Sequence, residues 1–144
     1  MTEKNKEIVR QFIETVINNR EESQADQFIS PDYIDHNSKS EKPIGIDGLI
    51  QHIHAVRSTY PDLKIIVHDQ VAEDDMVVSR ISITGTHEGN WLRMKPTHKQ
   101  VAIDAVNINR IKNGLIVEHW GVANTLEALL DIGAIKLEEN EQNT

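Results

Sequence analysis

The chain of 144 residues contains no cysteine. This excludes disulfides, a thiol nucleophile and thiolate metal ligands. It also lacks a long apolar run. Stretches such as 63–67 fall far short of the roughly 20 residues that a membrane-spanning helix needs. The start, Met1-Thr-Glu-Lys-Asn-Lys-Glu7, is polar and then amphipathic, which is not the pattern of a signal peptide, so a cytoplasmic location is expected. Basic residues are in deficit, with 15 Lys and Arg against 23 Asp and Glu and a net charge of −8. Nucleic acid and anionic membrane surfaces are therefore disfavoured as partners. The 7 histidines lack metal-ligand spacing. His52 and His54 diverge on a helix, His87 and His98 flank a loop, and no His-Glu-x-x-His is present. There is no Gly-rich phosphate loop and no Gly-x-Ser-x-Gly elbow. Neither metal nor organic cofactor is expected.

What is present has two periods. In the first half, Ile8, Phe12, Ile13, Val16 and Ile17 form one apolar helical stripe. A short helix is predicted from Gln24 to Ile29, with Ser23 as N-cap and Pro31 as its stop. Asp47 reads as the N-cap of a third helix carrying Ile50, Ile53 and Val56 on one face, closed by Pro61. The second half alternates and is β-branched. It reads as strands over 63–72, 76–86, 101–111 and 115–122, with turns at Glu73-Asp-Asp75 and Asn113-Gly114. A short helix from Thr125 to Ile132 would stop at Gly133. The fold class is α+β, with N-terminal helices packed in a curved antiparallel sheet, a cone open at one end, and a short C-terminal helix. Residues 1–137 form a single domain and 138–144 an acidic, solvated tail.

Four segments in this order resemble the SnoaL-like polyketide cyclases of the nuclear-transport-factor-two-like fold. They are Asp32-Tyr-Ile-Asp-His-Asn37, Tyr60-Pro-Asp-Leu63, Gly85-Thr-His-Glu-Gly89 with Pro96-Thr97, and Arg110-Ile-Lys-Asn-Gly-Leu-Ile-Val-Glu-His-Trp120. The likeness spans about residues 5–135. It implies an intramolecular aldol ring closure without metal or cofactor, in which an aspartate near the end of the last strand moves the proton. Here that position is Asn124, and the position of the family's pocket histidine is Asn107. Neither amide titrates, but both can hydrogen-bond a carbonyl or enolate oxygen.

A base must then come from elsewhere, and Asp35 and His36 are the candidates, with Asn124 as their catalytic partner. Asn107, Trp120, Glu118 and Trp91 are the candidate substrate contacts. Glu118, Trp120, Val122 and Asn124 share a face if the last strand is regular, which sends His119 to the opposite face, toward a subunit interface. Trp91, Leu92 and Met94 read as a lid or a partner contact. The leading expectation is a lyase or isomerase enolising a small hydrophobic carbonyl compound. Its rival is a non-catalytic small-molecule binder that has lost the family's acid/base. Apolar residues at both strand parities, as at Ile65-Ile66 and Met76-Val-Val78, point to a homodimer.

Overall fold

α1 (Thr2–Phe12) buries Val9 and Phe12 and runs directly into a π-helical turn, Ile13–Asn18, that buries Ile13, Val16 and Ile17. The structure, a computed structural model, describes residues 1–38, 42–90 and 93–138. The wider turn is seen in the bond from the Asn19 N–H to the Glu14 carbonyl, 2.9 Å, which spans five residues. It delivers the Asn18 side chain to the open edge of β2 (Lys64–Glu73). There the Asn18 amide donates to the Ile65 carbonyl (2.9 Å) and accepts from the Ile65 N–H (2.8 Å), pairing an edge that would otherwise be unpartnered at that point.

The helix expected over Gln24–Ile29 is instead a 3-10 segment, Glu22–Gln27, and Ile29 already belongs to a strand, β1 (Ile29–Asp35). Pro31 lies inside that strand. It is tolerated because β1 is an edge strand whose pairing is irregular between Ile29 and Ile34. α2 (Gly45–Thr59) follows, beginning two residues before the expected cap, and buries Leu49 and Ile53.

β2, β3 (Met76–Thr86), β4 (Gln100–Lys112) and β5 (Leu115–Ala123) form the expected meander. At its tightest turn Asn113 and Gly114 have φ of +52° and +78°, the left-handed pair that a two-residue hairpin requires. The five strands are ordered β1-β5-β4-β3-β2, and β1 runs parallel to β5. The sheet is therefore mixed, not antiparallel throughout: α2 carries the chain from β1 at one edge to β2 at the other, and the meander then brings β5 back beside β1. α3 (Thr125–Asp131) ends as expected near Gly133, where φ is +76°.

The helices pack on one face of this sheet. Val9, Val16, Ile29, Val77, Ile81 and Ile116 have no more than 1% of their surface exposed. No helix among the described residues is long and apolar enough to cross a membrane. The acidic tail, beyond Glu138, lies outside the described residues.

Candidate active site

A β-bulge decides which side chains reach the interior. From the Asn113-Gly114 turn, β4 and β5 pair regularly at Lys112↔Leu115 and Ile111↔Ile116. The next partner of Arg110 is Glu118, so β5 carries one extra residue, Val117. One residue of slip exchanges the two faces of the strand. Past the bulge, Asn109 is paired with His119 and Asn107 with Gly121. The expectation that His119 points outward, and that Glu118 and Trp120 point inward, is corrected by this bulge.

On the inner side lies a cavity of about 220 Å³. Its walls are mainly aliphatic and include Val9, Ile13, Ile17, Ile53, Ile81 and Ile83. The polar lining comes from Asp35 and Asn37 at the end of β1, His52 of α2, Asn107 and Asn109 of β4, and His119 of β5.

Asp35 and His119 meet because β1 and β5 pair in parallel with these two residues as register partners. The His119 Nδ1 lies 3.2 Å from the Asp35 Oδ1, and Asp35 has only 4% of its surface exposed. The second bond to the same oxygen is donated by the Asn37 N–H at 2.9 Å. Burial alone would raise the Asp35 carboxyl. The hydrogen bonds from His119 and from the Asn37 N–H, with the charges of His119 and His52, outweigh burial and hold it below the usual 3.8. The carboxylate is thus ionised at neutral pH. In the tautomer that donates Nδ1–H to this carboxylate, His119 keeps Nε2 as a proton acceptor. Next to Asp35, burial first and the Asp35 charge second push the Tyr33 phenol far up, so it stays protonated.

Asn109 is 6% exposed and its amide makes no hydrogen bond to protein among the described residues; neither does that of Asn107. Both residues line the cavity, so these two groups are available to a ligand. Gly121 makes room for Asn107 and Asn37. A Cβ at 121 would stand 3.0 Å from both the Asn107 Oδ1 and the Asn37 Nδ2. Asn37 closes the ring of contacts by accepting the Gly121 N–H at 3.0 Å.

The other candidates lie elsewhere. His36, next to Asp35, faces the opposite side of the sheet. It stacks on Trp120 with ring centroids 4.5 Å apart and planes 5° from parallel, and its Nε2 is 3.3 Å from Glu118. Arg110 sits over the Trp120 ring at 5.9 Å and 3.6 Å from Glu118. His36, Glu118 and Trp120 are thus one another's partners outside the cavity. Asn124 is exposed, at the N-cap of α3, and donates from Nδ2 to Glu127 at 2.7 Å. Trp91, with Leu92, lies outside the described residues, while Met94 packs against the core. Of the sequence candidates, the cavity brings together Asp35 and Asn107. It adds His119, for which strand parity past the bulge was the missing signal, together with Asn109 of β4, Asn37 after β1 and His52 of α2. Among the described residues no group of three or more His, Asp or Glu side chains is placed to hold a metal ion.

The sequence matches the SnoaL-like polyketide cyclase family over residues 7–132, and the chain belongs to that family. Solved structures share the fold. IdmH of Streptomyces antibioticus, a candidate polyketide cyclase, is 23% identical, with a TM-score of 0.79 over 90% of this chain and 98% of its own. TsrD of Streptomyces laurentii is 25% identical, with a TM-score of 0.80 over 92% and 96%. AclR of Streptomyces galilaeus, a candidate hydroxylase, is 24% identical, with a TM-score of 0.78 over 96% and 87%. No curated protein matches the sequence.

Proposed function

We propose that the cavity binds a small hydrophobic carbonyl compound and enolises it, with cyclisation or isomerisation following. The observation that carries this reading is the Asp35–His119 contact on the wall of an apolar cavity. His119 Nε2 takes a proton from the carbon next to the carbonyl, and the ionised Asp35 holds the ring and stabilises its charged form. The electron pair moves onto the carbonyl oxygen, where an N–H of Asn107 or Asn109 can meet the growing charge. The enolate carbon then attacks an internal carbonyl and closes a ring, or it is reprotonated at a different carbon. His119 returns the proton in either case, so no oxidant, metal or cofactor enters the balance. On this reading Asn124 is not the base, since its side chain is exposed and bonded to Glu127 at the start of α3. The working unit is proposed to be a homodimer.

The test is deuterium wash-in at the acidic carbon of an enolisable ketone, followed by NMR. Wild type should exchange about 10²- to 10⁴-fold faster than Asp35→Asn and His119→Gln, the range expected for general acid–base catalysis. If wild type and both variants exchange at the buffer rate, the protein is a small-molecule binder. The neutral amide at the family's acid/base position already favours that second reading.

A further inference from the structure

The lining of the cavity restricts what the site can take, by size, shape and charge together. We propose that its occupant is an uncharged, largely aliphatic carbonyl compound of one ring or one short chain. A fused polycycle, or an acid, phosphate or coenzyme ester, would not fit. This rests on the acid/base reading only for what happens after binding.

Size comes first. The cavity measures about 220 Å³. An apolar cavity of about 150 Å³ holds benzene, so by proportion this one encloses roughly nine non-hydrogen atoms, about half of a fused four-ring skeleton, and its open mouth leaves room for a small substituent beyond that. The volume is also below the range of drug-sized sites, roughly 300–1,000 Å³.

Shape comes second. Among the described residues, apart from the imidazoles only Phe12 and Tyr33 bring rings to the lining, and the rest of the apolar wall is aliphatic. A flat ring system gains by stacking on aromatic faces, of which these walls offer few among the described residues. Branched aliphatic side chains instead follow the contour of a puckered ring or a folded chain.

Charge comes third. No Lys or Arg lines the cavity among the described residues, and Asp35 is its one carboxylate. An anionic substrate would meet that carboxylate at low dielectric, inside a chain of net charge −8. A neutral oxygen suits the site better, because the unpartnered amides of Asn107 and Asn109 offer N–H donors to it.

Ligand-observed and protein-observed NMR titrations of the full chain would compare three probes. They are menthone, an oxocyclohexanecarboxylate of similar size, and a four-ring steroid ketone. Menthone should bind at least tenfold more tightly than the other two. Ala105→Leu, which shrinks the cavity, should weaken menthone about tenfold while leaving the circular dichroism spectrum unchanged. Equal or tighter binding of the acid or the steroid overturns the inference, as does failure of all three to bind. Menthone also reports on the chemistry, because enolisation converts it to isomenthone. Selective binding without that conversion supports the size and charge inference and removes the acid/base reading. Conversion with equal acceptance of the steroid does the reverse.

Discussion

Asn109 stands directly opposite His119 across β4 and β5, although a regular hairpin from the same turn would place it opposite Glu118. One extra residue in β5 makes the difference. It turns an imidazole inward and leaves a carboxylate and an indole to meet His36 and Arg110 outside.

Asn109→Leu should separate function from stability. The amide lines the cavity without a protein partner among the described residues, so an apolar side chain of similar volume breaks no hydrogen bond of the fold. The melting temperature should hold, while ketone exchange falls by one to two decades if this amide meets the enolate oxygen. Calorimetry and the wash-in assay on one preparation check both.

Asp35 should govern acid stability. Its folded pKa lies below the usual 3.8, so its contribution is present above that value and is lost as pH falls through the folded pKa. Asp35→Asn should cost about 1–3 kcal/mol at neutral pH, by weakening buried hydrogen bonds. The deficit should shrink as the pH is lowered below about 4. Urea midpoints measured from pH 7 to pH 2 would show this convergence, and parallel curves would refute it.

Asn124→Asp tests whether the end of β5 still reaches the chemistry. The structure ties this side chain to Glu127, and it does not line the cavity. A carboxylate there would face another carboxylate, costing a few tenths of a kcal/mol, and ketone exchange should change less than threefold. A gain of two decades would mean that position 124 can turn inward.

The outer sheet face should carry the homodimer. Val71, Val106 and Val122 are exposed at 67%, 40% and 79%, and Val106 pairs with Val122 across the strands. Val106→Lys with Val122→Lys would place two like charges in that stripe. Sedimentation should show a dimer for wild type at micromolar concentration and a monomer for the variant.

Asn18→Ala should destabilise the fold by about 1–3 kcal/mol, since it strands both backbone groups of Ile65 at a partly buried edge. Chemical denaturation with an unchanged m-value would support a local loss of these two bonds.

The meander was legible because each of its strands is long and β-branched and its turns carry their own chemistry, Asn113-Gly114 above all. β1 was not, because Ile29-Ser-Pro-Asp-Tyr-Ile-Asp35 is short and holds a proline. Only its distant partner, β5, makes it a strand. The same non-local pairing hid the site. Asp35 was recognisable as a carboxylate beside a pocket segment. Its true neighbour was not His36 in the chain but His119 across the sheet. Parity in β5 depended on a bulge next to Val117, which no residue preference announces. Trp120 looked like a pocket wall because indoles often are, yet it covers the outside, stacked on His36.

The parallel contact of β1 with β5 joins residues 84 positions apart. The dyad therefore does not exist in any partly folded chain that has made only the meander. Peeling β1 from the sheet edge would dismantle the dyad while the four antiparallel strands remain paired. An occupant of the cavity touches both sides of that seam, so it acts as a clasp. Amide hydrogen exchange in 29–35 should slow on ligand binding more than exchange in β3, and that contrast would report occupancy without any assay of turnover.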